Sequence, residues 1–162
     1  MEAVIEMAGF FTAHAVWCVS DGAVLIPLIA YETPEGKRQM NRLVCERVEE
    51  GVERGKEWMT TNPDGADRAV LIYDGYITLE SGKTDALIVV ARDYSQGKAE
   101  VTMAVPYRPA TDRRGFAVHR PKFLGFQGGE PDWQALGDAL WRGISEHQQG
   151  DKVWNAHLDE SK

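Results

Sequence analysis

Between residues 69 and 126 the chain contains four successive strand-like runs, at 69–79, 85–91, 99–107 and 116–126. The separators are Ser81-Gly82, Ser95-Gln96-Gly97 and a longer loop, 107–115. Short turn signals between β-patterned runs predict antiparallel neighbours. A meander of this length is the feature that most limits the fold. One face of such a sheet must be covered by helices or by a second sheet. Within the first run, Asp74-Gly75 would suit a hairpin turn. One strand with a glycine bulge at Asp74-Gly75 matches the length of the next run better.

The flanking segments supply candidates for the cover. Residues 10–19 and 23–32 read as two strands joined at Ser20-Asp21-Gly22, with Pro27 placing the second at an edge or a bulge. Residues 38–59 read as a helix, with Met40, Leu43, Val44, Val48, Val52 and Met59 on one stripe. Gly51 and Gly55 lie on that stripe, so the helix is expected to approach its partner closely. Trp133, Leu136, Leu140 and Ile144 mark a final helix that stops at Gly150. Residues 150–162 are then a loosely docked tail, whose Trp154 is too apolar to leave in water. The expected fold is α+β: an antiparallel sheet of about six strands, in ββ-α-ββββ-α order, with helices packed on one face. Residues 1–162 form a single domain.

Charge is distributed unevenly. The chain carries a net −7, yet residues 107–129 hold five bases against one acid, a net +4. An acidic total argues against nucleic acid as a partner. The local cluster makes Arg113, Arg114, Arg120 and Lys122 candidates for a small-anion or acidic-protein site, because guanidinium forks suit carboxylate and phosphate. His14 and His119 are weak catalytic candidates, since an imidazole can move a proton but neither shows an orienting partner in the sequence. Strand spacing puts His14 and Cys18 about 13 Å apart, too far to share a metal ion. No metal or cofactor is expected. Cys18 and Cys45 form no paired motif and are expected reduced.

No nucleophile elbow or Walker loop is present. Gly-Lys-Thr at 82–84 reads as a hairpin turn, and 125–131 as a glycine-rich approach to a helix. The early charges Glu2 and Glu6 do not suit a secretory leader, and no uninterrupted apolar run has spanning length. A cytoplasmic location without membrane contact is the expectation. Function is expected to be binding rather than catalysis, through self-association as a homodimer. Two alternatives remain. One is a small-ligand protein or enzyme acting on an anionic substrate through an Arg/His cluster in 108–122. The other is an adaptor or chaperone for another protein.

Overall fold

The sheet expected from the central runs is the frame of the protein. The structure, a computed structural model that describes residues 1–95 and 97–162, is an open seven-stranded antiparallel sheet with four helices. Gln96, inside one expected separator, lies outside the described residues. The elements are α1 (Glu2–Val19), β1 (Leu28–Glu32), β2 (Arg38–Arg42), α2 (Val48–Thr61), β3 (Arg68–Leu79), β4 (Gly82–Asp93) and β5 (Ala99–Arg108). They continue with β6 (Ala117–Val118), β7 (Lys122–Gln127), α3 (Trp133–Glu146) and α4 (Gln148–His157). Spatial order is β2-β1-β3-β4-β5, with β6 and β7 both paired to the far edge of β5.

The meander is where the sequence puts it. β3 and β4 pair without interruption from Arg68↔Asp93 to Leu79↔Gly82, leaving Glu80-Ser81 as the turn. The bulge expected at Asp74-Gly75 is absent: Asp74 opposes Leu87 and Gly75 opposes Ala86 in unbroken register. Asp74 is tolerated mid-strand because the Tyr107 hydroxyl donates to its Oδ1 at 2.8 Å. The register shift lies instead at Thr102/Met103, opposite β7. The expected strand at 116–126 is two pieces, β6 and β7. Pro121, which has no N–H to donate, sits between them.

The N-terminal third differs most from expectation. Residues 10–19 are the second half of α1, not a strand. Alternation and helical period cannot be told apart in a run that is apolar nearly all round, and such a helix belongs in a core. α1 lies between the sheet and α3/α4, so Ile5, Met7, Ala8, Ala13, Ala15 and Val16 are fully buried. It is long and apolar enough, at mean hydropathy 1.2 over 18 residues, to resemble a membrane span by composition alone. With 61% of that window buried, its apolar surface is already used by the protein's own core. Residues 38–42 are a strand rather than the start of a helix. β1 is buried on both faces and takes a neighbour on each edge, β3 on one and the short, exposed β2 on the other. Pro27 precedes β1, which is therefore not an edge strand.

Helices occupy both faces, not one. α1 packs over the face of Val70, Ile72, Leu87, Val89, Val101 and Met103, and α3 and α4 cover α1 from outside. α2 packs on the opposite face over Ile29, Tyr31, Ala69 and Leu71. The close approach expected at its glycines is present: a β-carbon at Gly51 would meet the Leu43 carbonyl oxygen at 2.6 Å, and one at Gly55 would overlap the Leu71 side chain. The segment from residue 150 is not a loose tail. It belongs to α4, and Trp154 is fully buried against α1 and α3.

Three further glycines set the helix layer. A β-carbon at Gly9 would overlap the Leu140 carbonyl, one at Gly143 the Glu6 carbonyl, and one at Gly150 the Ala13 carbonyl. α1 therefore meets α3 and α4 backbone to backbone. Gly143→Ala is expected to cost about 3 kcal/mol, because overpacking forces the helices apart. Gly137, on the same helix, has no atom within 4 Å of the position of an added β-carbon. Gly137→Ala is expected to raise stability by about 0.5–1 kcal/mol through helix propensity. Urea unfolding of the two variants checks both signs. An innocuous Gly143→Ala would contradict the crossing.

Candidate functional site

The basic stretch is matched largely by the chain's own carboxylates. Arg114 grips Asp112 with two donors, Nε at 3.0 Å and Nη2 at 2.9 Å. That pairing, with the Arg114 backbone N–H, holds the Asp112 carboxyl far below the usual carboxylate range. Arg108 donates from Nε to the Gly115 carbonyl at 2.8 Å and lies 3.7 Å from Asp159. Arg120 pairs with Glu160 at 3.0 Å. Lys122 lines a shallow pocket with Leu79, Glu80, Ser81, Ser161 and Lys162. Arg113 is exposed and makes no ion pair among the described residues. His119 is 1% exposed, and its Nδ1 donates to the Asp159 carbonyl at 2.9 Å.

Backbone contacts fix the acidic partner in place. Leu158 bridges Val118 in parallel, and the Asp159 N–H donates to the Val118 carbonyl at 2.8 Å. The C-terminal Asp159-Glu160 pair thus lies along β6 between Arg108 and Arg120. Arg108, Arg114, Asp112 and Asp159 form one locally neutral network. Arg120 is held apart from it by Glu160. His119 serves the same docking through its ring nitrogen. At the glycine-rich approach to α3, the Asp132 carboxylate already accepts from the Ala135 N–H at 3.0 Å as the helix cap.

A second constellation assembles around His14. On a helix His14 and Cys18 share one face, and His14 Nε2 lies 3.6 Å from Cys18 Sγ. The separation expected for a strand is therefore overturned. His147 ends α3 and caps α4, accepting the Gly150 N–H on its Nδ1 at 2.9 Å. Its Nε2 is 3.2 Å from His14 Nδ1. A backbone N–H can only donate, so the protons are ordered along this chain. Neutral His147 carries its proton on Nε2 and gives it to His14 Nδ1. Neutral His14 carries its proton on Nε2, facing Cys18.

This order decides the chemistry. His14 Nε2 already holds a proton and cannot take one from the thiol. Burial pushes the Cys18 thiol up, Arg42 offsets this in part, and Asp21 adds to it. Cys18 is thus a thiol at neutral pH, not an activated nucleophile. The proton also occupies the nitrogen that a metal shared with Cys18 would need. Among the described residues no three metal-binding side chains converge. Beside the pair lies a pocket of about 180 Å³ lined by His14, Cys18, Ala23, Val24, Leu25, Ile26, Leu28 and Arg42. The geometry suits holding a small molecule at a hydrogen-bond donor.

An aromatic surface runs along α3 and β7. Trp133 is 47% exposed and Trp141 39%. Phe123 and Phe126 pack on Trp133 with ring centroids 5.2 and 6.1 Å away. Trp141 stands edge-on to buried Trp154 at 5.7 Å. A groove of about 430 Å³ opens here, lined by Pro121, Phe123, Gly137, Leu140 and Trp141, with the Arg120–Glu160 pair at its margin. Sequence reasoning put Trp133 on the inward stripe of the helix. The available signal was Gly137, four residues from each tryptophan, which leaves the groove open between them.

Burial lowers the His147 pKa, and burial with the nearby His147 and Arg42 lowers that of His14, from the ordinary 6.5. The unfolded chain therefore binds more protons than the folded one below that value. Stability is complete above pH 6.5 and is lost as pH falls towards the depressed folded values. Urea midpoints measured across this range are expected to fall with pH, and His147→Gln is expected to flatten the slope. A midpoint constant over the same interval would contradict the network.

No family model, curated protein or solved structure matches this chain.

Proposed function

We propose that this protein is a cytoplasmic binding domain that pairs with a second copy of itself through the aromatic surface of α3 and β7. One observation carries the reading: Trp133 and Trp141 stay exposed on a surface made continuous by Phe123 and Phe126. Tryptophan is among the largest apolar contacts a surface can offer, and soluble monomers rarely leave such contiguous patches in water. Covering the exposed part of each ring, roughly 100 Å², would contribute about 2–3 kcal/mol per ring at about 25 cal/mol per Å².

Local charge permits a copy of the same chain at this place. Two molecules of net −7 repel each other over most of their surfaces. At the groove the ion pair Arg120–Glu160 sums to zero and adds no repulsion of its own. A two-fold arrangement would set the same patch against itself and close the assembly at two subunits. An anion site in 108–122 has less support, because Arg108, Arg114 and Arg120 already hold Asp159, Asp112 and Glu160, which leaves only Arg113 and Lys122 without a carboxylate among the described residues.

Sedimentation equilibrium at tens of micromolar is expected to give twice the chain mass. Trp133→Ser/Trp141→Ser is expected to give the monomer, with an unchanged far-ultraviolet spectrum because both rings are half-exposed. A wild-type monomer at that concentration, or a double variant that still dimerises, would remove the reading. A wild-type monomer that retains the exposed patch would turn attention to the adaptor alternative.

A further inference from the structure

We propose that the pocket beside His14 binds a short aliphatic monocarboxylate. The site has three parts of different chemistry. Its polar floor is the His14–Cys18 pair, where the backbone-ordered relay leaves Nε2–H as a donor. Its charged rim is Arg42, at the end of β2 opposite Leu28, which makes no ion pair among the described residues. Its walls are Val24, Leu25, Ile26 and Leu28.

Each part selects something. A thiol sulfur is a weak acceptor, so the 3.6 Å contact leaves the His14 N–H poorly satisfied. A carboxylate oxygen accepts far better, and its charge strengthens the bond. The second oxygen meets the Arg42 guanidinium at the mouth. The alkyl body lies against the aliphatic walls and gains from leaving water. The pocket, at about 180 Å³, is small. Asp21 is close enough to act on Cys18, and its Oδ1 accepts from the Ala23 N–H at 3.0 Å at the same rim. That nearby negative charge disfavours a dianion such as phosphate and favours a single charge with an apolar tail. No bond is made or broken. This site lies apart from the α3/β7 surface and does not depend on self-association.

The test is titration of the intact protein with butyrate, followed by the His14 imidazole signals in NMR. A saturable shift is expected. Arg42→Gln is expected to weaken binding by about tenfold or more, the loss of a charge-assisted hydrogen bond. Arg42 is exposed on an edge strand, so the variant is expected to keep its fold, which circular dichroism checks. Cys18→Ala, which removes the thiol and leaves the His14 N–H free, is expected to bind butyrate still, which separates a carboxylate site from thiol chemistry. Butanol, with the same tail and no charge, is expected to leave the signals unmoved. No saturable shift, equal binding by Arg42→Gln, or equal binding of butanol overturns the proposal.

Discussion

The structure depends on the contact of α1 with α3 and α4 at residues that have no β-carbon. Gly9 and Gly143 let the first two helices meet at their backbones, and Gly150 does the same for α4 over Ala13. A helix apolar on nearly every side needs cover from more than the sheet, and this crossing supplies it. Dispersion falls steeply with separation, so backbone-level contact gains more than side chains held farther apart could. The crossing also decides the chemistry. It brings the α3–α4 junction against α1 and lays His147 on His14. A single N–H, that of Gly150, then orders the protons along two rings.

The second organising term is electrostatic and local. A chain that is acidic overall concentrates positive charge where its acidic end must dock. Asp159 and Glu160 reach Arg108 and Arg120 while the backbone bridges β6. Exposed ion pairs of this kind contribute little to stability singly. Here they act with two backbone hydrogen-bonding groups and with buried His119, which fix the direction of the terminal segment. The concentration of charge between 107 and 129 is therefore accounted for within the molecule, except at Arg113 and Lys122.

The parts of the fold legible in sequence are those whose pattern admits one geometry. The β3–β5 meander has turn residues at each visible end. The glycines of α2 announced a close approach that is present at Leu43 and Leu71. α1 was misread because an almost uniformly apolar stretch satisfies both a period of two and one of 3.6. β2 was misread because a short polar edge strand has no pattern of its own and forms only because β1 accepts a neighbour. The site followed from those errors. With His14 and Cys18 on a strand, their pairing was invisible. His147 lies 133 residues from His14, and no local signal could join them. His119 was recognised as a histidine among apolar neighbours, but its carbonyl partner comes from the C-terminal segment. The aromatic surface was hidden by counting Trp133 as core.

Tautomer assignment of the histidines by long-range proton–nitrogen NMR at slightly alkaline pH tests this account most directly. It predicts the Nε2–H form for His14 and His147, and the opposite Nδ1–H form for His119, whose Nδ1 faces a carbonyl. His14 protonated on Nδ1, or all three rings in one form, would contradict the helix crossing and the proton order derived from it.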